Sequence, residues 1–110
     1  MPVREVSTRE LAQALEGPEP ERPVLVDVRN AEEVRVASIR GSLHVPMHEL
    51  PGRVDELREL AGRPVVVLCH TGVRSYHAAA FLESVGIPAA SLRGGIEAWA
   101  VDVDPRVPRY

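Results

Sequence analysis

Lysine is absent from this chain of 110 residues: all thirteen basic side chains are arginines, and Asn30 and Gln13 are the only side-chain amides. Scarce amides would fit a heat-adapted host, but such hosts ordinarily enrich lysine as well, so the bias reads as genomic base composition. There is a single cysteine, Cys69. An internal disulfide is therefore excluded, the fold does not depend on an oxidising compartment, and the thiol is free for chemistry. No run of basic residues offsets the formal net charge of −3, so nothing draws a phosphate backbone and nucleic acid is not an expected partner. Long apolar runs are missing too. Val65 to Cys69 is far too short to span a bilayer, and the opening Met-Pro-Val-Arg-Glu lacks an apolar signal core, so a soluble cytoplasmic protein with no membrane partner is expected. The sequence contains no internal repeat. Its length allows one domain at most, and 45% hydrophobic with 26% charged residues is the balance of an ordinary globular chain.

What is present reads as strands alternating with helices. Val3 to Val6 starts extended, and Ser7 with Glu10 three residues later forms a capping box before Leu11, Ala14 and Leu15 on one helical face. Gly17 closes that helix, and Gly17 to Pro23, with three prolines and no apolar residue, is an exposed loop. Val24 to Val28 is an apolar run broken by Asp27, the pattern of a parallel strand covered on both faces. Asn30 caps a short helix over Ala31 to Ala37, and Leu43 to Val45 is a short strand stopped by Pro46. Leu50, Val54, Leu57 and Ala61 recur at helical spacing before Gly62, predicting a longer helix. Val65 to Leu68 is the least polar stretch and predicts a central strand with Cys69 at its carboxyl end. Val73 to Val85 predicts a helix ended by Gly86 and Pro88, Ala89 to Leu92 a last strand, and Ile96 with Trp99 one turn of a final helix after Gly94-Gly95. Residues 1–100 thus form one domain, and 101–110 a tail on the surface or partly disordered. The fold class is α/β: an open, mostly parallel five-stranded sheet with helices on both faces. Ligands of such sheets sit outside the carboxyl ends of the strands, which is where Cys69 and the loop after it fall.

That loop, Cys69-His70-Thr71-Gly72-Val73-Arg74-Ser75, is the most informative segment of the chain. A strand-to-helix turn containing glycine can curl its backbone N–H groups inward into an anion-binding nest, reinforced by the helix N-terminus. A cysteine at the mouth of such a nest is favoured as thiolate. A lone cysteine ending a buried strand is ordinarily inert core. Gly72, Arg74 and Ser75 at these offsets point instead to a nucleophile sharing a loop with the cradle for its electrophile.

On these residues the chain resembles the rhodanese family of sulfurtransferase-type α/β domains, from about Val3 to Trp99. The most specific piece is Cys69-x-x-Gly72-x-Arg74-Ser75 after Val65-Val66-Val67-Leu68. Leu25-Val26-Asp27-Val28-Arg29 with Glu32-Glu33, Ile39-Arg40-Gly41-Ser42 to Val45-Pro46, and Gly94-Gly95-Ile96-Glu97-Ala98-Trp99 follow the family's order and spacing. The resemblance implies a persulfide mechanism. Cys69 would take a sulfane sulfur from a donor such as thiosulfate or a persulfide and pass it to cyanide, a thiol, or a sulfur-carrier or acceptor protein. The backbone N–H groups of His70, Thr71, Gly72, Val73, Arg74 and Ser75 would stabilise the anionic persulfide, with no metal or organic cofactor.

Related folds acting on phosphate or arsenate carry seven residues from Cys to Arg, and the shorter span Cys69 to Arg74 resembles the sulfur-handling members. A phosphatase, an arsenate reductase and a non-catalytic binding module are the alternatives. The chain departs from many family members at Ala37-Ser38-Ile39, where they read Gly-His-Ile, and at Val34, where they carry an aromatic ring. His70 replaces the fixed positive charge of well-known thiosulfate-using enzymes, which favours a persulfide donor.

Arg74 has two possible tasks, gripping substrate oxygens or bracing the loop through an ion pair with Glu33, where the family commonly keeps an acid. The brace is preferred, because bidentate arginine pairs suit partly buried positions. Asp27 and Arg29 either line the mouth of the site or cap a strand end in solvent. Glu32 and Arg35 belong to a solvated helix face. His77 reads as a surface or rim residue, and Trp99 as a core plug or hydrophobic rim. His44 and His48 are separated by Pro46 and match no common metal-ligand spacing, so no metal site is expected.

Overall fold

The computed structural model describes residues 3–60 and 62–110. Ala61, expected on a helix face, lies outside the described residues, as do Met1 and Pro2. The elements are β1 (Arg4–Val6), α1 (Thr8–Leu15), β2 (Val24–Asp27), α2 (Ala31–Val36), β3 (Leu43–His44), α3 (Val54–Arg58), β4 (Val65–Leu68), α4 (Val73–Ser84), β5 (Ala89–Leu92) and α5 (Gly95–Asp102). The strands form one sheet in the order β1-β5-β4-β2-β3, and every neighbouring pair is parallel.

Alternation along the strands builds two cores. Val65, Val67 and Cys69 face one side with Ala78, Ala79 and Leu82 of α4 and Leu57 of α3. Val66 and Leu68 face the other with Leu11 of α1 and Ile96 and Trp99 of α5. All four β4 residues are buried, as a strand covered on both faces requires. Truncating a fully buried side chain such as Leu82 to alanine should cost about 2–5 kcal/mol.

Several boundaries differ from the sequence pattern. The helix expected to begin near Leu50 is a 3-10 segment over Met47–Arg53, and α3 is only Val54–Arg58. Pro51 causes this, since it lacks an amide proton and its ring disfavours helical geometry in the preceding residue. Within the loop from Gly17 to Pro23, Glu19–Glu21 makes a 3-10 turn. The final helix runs two turns and not one. After it the chain lies back along the domain. Val103 and Val107 pack on the second core, the Asp104 amide donates to the Trp99 carbonyl at 3.0 Å, and Arg109 Nε donates to Glu97 Oε2 at 2.8 Å.

The strand order positions the site. The crossover from β2 leads outward to β3, whereas the crossover from β4 leads the opposite way to β5. Loops after β2 and β4 therefore diverge and leave a crevice at their carboxyl ends, the ligand position of doubly wound sheets. Among the described residues, no helix is long and apolar enough to cross a membrane.

Candidate active site

Cys69 directly follows β4 and is 1% exposed. Gly72 adopts φ 111°, in the left-handed region, which turns the chain sharply from β4 into α4. That turn directs the Gly72 amide at Cys69 Sγ, 3.1 Å away. Ser75 Oγ lies 3.4 Å from the same sulfur and 2.8 Å from Ser91 Oγ of β5, both serines being fully buried. With a protonated sulfur the thiol donates to Ser75 Oγ and Ser75 donates to the Gly72 carbonyl at 3.3 Å; when the sulfur is a thiolate, Ser75 can turn its proton to the sulfur while accepting from Ser91. Gly72 has no side chain to cap α4. The first-turn amides of Val73, Arg74 and Ser75 therefore keep their donors for an anion at the helix N-terminus. Thr71 and Val73 are exposed on the outer side of the loop, and His70 is half-buried.

The back of the loop rests on α5. The amides of Ile96 and Glu97 donate to the carbonyls of Cys69 and His70 at 2.9 and 3.0 Å. Gly95 makes this approach possible, because a Cβ there would run into the His70 carbonyl.

Arg74 closes on Glu33 with both arms, Nη1 to Oε1 at 2.6 Å and Nη2 to Oε2 at 2.8 Å. Glu33 is also N3 of α2, where it completes a capping box with Asn30. The Arg74 hydrogen bonds hold its carboxyl at about 2, against the opposing effect of burial and with help from the Tyr110 hydroxyl and the Asn30 amide. Arg74 is raised in turn, chiefly by its bonds to Glu33.

Asp27 and Arg29 neither line the mouth nor sit in solvent. They form a buried pair, 1% and 0% exposed. Arg29 donates through Nε to Asp27 Oδ1 at 3.0 Å and through Nη2 to Oδ2 at 2.7 Å. Its remaining donors reach the Ala37 and Glu33 carbonyls and the Tyr110 hydroxyl. Burial opposes the Arg29 charge, but bonds to Asp27 and Tyr110 outweigh it and raise the group overall. Among the described residues, every buried side-chain nitrogen or oxygen has a partner, which is why a charge can sit here.

The structure thus brings Cys69, Gly72 and Ser75 together, and joins Arg74 to Glu33 beside them. Glu32 and Arg35 are exposed, His77 is exposed with Tyr76 at its edge, and Trp99 is buried in the second core. His44 Nε2 lies 2.7 Å from the Arg29 carbonyl, while the His48 side chain is 80% exposed. Ser91, Tyr110 and the close approach at Gly95 were not read from the sequence as site features. Ser91 had a faint signal, a lone hydroxyl in an apolar strand. Tyr110 had none, lying 81 residues from Arg29.

A family model described as rhodanese-like domain matches residues 7–102. This chain belongs to the rhodanese-like domain family. A sulfurtransferase of Allochromatium vinosum is 39% identical over 99 residues, covering 89% of this chain and 89% of that one. A rhodanese-like domain protein from Staphylococcus aureus superimposes with a TM-score of 0.83 at 28% identity, over 98% of this chain and 99% of the other. A thiosulfate sulfurtransferase from Pseudomonas aeruginosa gives the same TM-score and identity, 0.83 and 28%, over 97% of this chain but 20% of its own length. In this rhodanese-like domain, then, the crevice between β2 and β4 holds a cysteine loop backed by α5 and flanked by an arginine–glutamate pair.

Proposed function

We propose that this rhodanese-like domain is an enzyme that transfers a sulfane sulfur through a persulfide on Cys69. The observation that carries the reading is Cys69 Sγ held between the Gly72 amide and the Ser75 hydroxyl at the uncapped start of α4. An anionic sulfur there is met by the Gly72 amide, already aimed at it, and by the Ser75 hydroxyl once that proton turns from the Gly72 carbonyl to the sulfur. In the first half-reaction the Cys69 thiolate attacks the outer sulfur of the donor. The donor S–S bond breaks and the leaving group departs with its electron pair, as sulfite from thiosulfate or as a thiolate from a persulfide. In the second, a nucleophile such as cyanide attacks the outer sulfur of the Cys69 persulfide, takes it as thiocyanate, and returns the thiolate. The amides of the loop hold the negative charge throughout.

A persulfide is the favoured donor. Thiosulfate carries a sulfonate charge that wants a free cation, yet Arg74 is engaged by Glu33 and the loop has no other fixed positive charge. The same engagement weighs against phosphatase or arsenate chemistry, which needs an arginine fork open to tetrahedral oxygens. A small thiol or an acceptor protein presenting one fits the second half-reaction.

Incubation with a polysulfide should add the mass of one sulfur atom to the protein, removable by reductant. Cys69→Ser should neither gain that mass nor form thiocyanate. Full thiocyanate formation by Cys69→Ser would overturn the reading, and phosphatase turnover lost in Cys69→Ser without any sulfur transfer would replace it with the phosphate reading.

A further inference from the structure

Tyr110 is 41% exposed, yet its side chain is held at three points. Its ring stacks on His70, with centroids 4.0 Å apart and planes within 11° of parallel. Its hydroxyl accepts from Arg29 Nη1 at 2.8 Å and donates to Glu33 Oε2 at 2.8 Å, the same oxygen that Arg74 Nη2 grips. One side chain therefore touches the residue next to the nucleophile, the brace of Arg74 and the buried Asp27–Arg29 pair. Two neighbouring contacts anchor it: Arg109 on Glu97, and Val107 on the second core. Glu97 also donates its amide to the His70 carbonyl, so His70 is fixed from behind by α5 and across its ring by Tyr110.

We propose that Tyr110 is a positioning residue for the Cys69 site, locking the His70 ring and the Glu33–Arg74 brace so that the mouth of the cradle is preformed for the sulfur donor. This rests on the sulfur-transfer reading above. A side chain at the rim that loses its stacking partner gains rotamer freedom, and a donor must then order it on binding. Tyr110 acts through His70 and Glu33 and does not touch the sulfur.

A loosened mouth has two consequences of opposite sign, which separate positioning from a merely structural role. A donor that needs the ordered rim binds less well, whereas a small reagent that needs only access reaches the buried sulfur faster. Because Cys69 is the only cysteine, its alkylation by iodoacetamide reports that access with no dependence on sulfur transfer.

The test uses Tyr110→Ala, Tyr110→Phe and His70→Ala in the full chain. With a small persulfide donor and saturating cyanide, Tyr110→Ala should raise KM about three- to tenfold, the factor carried by an aromatic pair, while kcat falls by no more than about twofold. Tyr110→Phe retains the ring and should lie nearer the wild type. Combining Tyr110→Ala with His70→Ala should be markedly less than multiplicative, since both remove the same stack. Iodoacetamide should alkylate Cys69 faster in Tyr110→Ala than in the wild type. Unchanged KM together with unchanged alkylation in Tyr110→Ala, or a fully multiplicative double variant, would overturn the assignment. If the wild type moves no sulfur at all, the function above fails, and alkylation alone then decides this inference: faster in Tyr110→Ala upholds it, unchanged defeats it. Should Tyr110→Ala not fold, Tyr110→Phe with and without His70→Ala supplies the same comparison of ring against hydroxyl.

Discussion

Two arginine–carboxylate pairs lie side by side at the carboxyl end of the sheet, built from the same chemistry and set at different depths. In Asp27–Arg29 the side chains are 1% and 0% exposed; in Glu33–Arg74 they are 16% and 38% exposed. The deep pair is surrounded by backbone carbonyls and joins β2 to the end of α2, so its charges exist only because every donor is met. The shallow pair reaches water on one side and joins α2 to the start of α4. Depth decides what each can do. Losing one member of the deep pair strands a charge in a medium that cannot solvate it, whereas losing one member of the shallow pair lets water replace the partner. The deep pair is architecture, and the shallow pair is the adjustable tie between the Cys69 loop and its neighbour.

The contrast predicts a ranking. Arg29→Ala should have the largest effect, a loss of about 3–5 kcal/mol in urea denaturation, because Asp27 is left buried and unpaired. Neutralising both members at once, as Asp27→Asn with Arg29→Met, should cost markedly less than the sum of the two single changes. A fully additive double variant would show that the pair is not the coupled unit described. Arg74→Ala should follow at about 1–2 kcal/mol, with Glu33→Gln similar and their combination non-additive. An Arg74→Ala protein of unchanged stability, with KM raised for thiosulfate but not for an uncharged polysulfide, would move Arg74 from brace to substrate grip.

The shallow pair also sets a pH window. Glu33 is depressed from the usual 4.5 to about 2, so the stability it contributes is fully present above its unfolded value and is lost as pH falls through the folded one. The melting-temperature gap between wild type and Glu33→Gln should therefore be constant above about pH 5 and shrink as pH drops toward 2. A gap that persists at the acid end would mean that the carboxylate charge is not what matters. The smallest effect belongs to Tyr110→Phe, whose missing hydroxyl touches both pairs; thermal denaturation should register about 0.5–1.5 kcal/mol.

Local signals in the sequence carried far in this fold and stopped at long-range contacts. Ser7 with Glu10, Asn30 as a helix cap, the run Val65 to Leu68 and Gly72 each act within a few residues, and patterning exposed them, whereas the return contact from Glu33 to the Asn30 amide was not read. The Glu33–Arg74 contact spans 41 residues and was legible only through the family resemblance. Asp27 and Arg29 were visible as residues near the site, but their burial was not, because the carbonyls that receive Arg29 come from Glu33 in the first turn of α2 and from Ala37 just past its end. Pro51 lay in plain view within a helical spacing, and its effect on the backbone outweighed the apolar pattern. Tyr110 meets its partners across the whole length of the domain, where no periodicity reaches.

Consider again the two carbonyls, of Cys69 and His70, held by the first turn of α5. A planar trans peptide carries its carbonyl and its amide proton on opposite sides, and the described chain has no cis peptide bond. Fixing those two oxygens from behind therefore fixes the His70 and Thr71 protons to point out of the opposite side of the loop. The polarity of the concave surface is dictated by helix residues 27 positions later in the chain, with Gly95 as the spacer that admits them. Front and back of the loop are thereby separated: the exposed side chains at 71 and 73 can be exchanged while the electrostatic frame behind them stays in place.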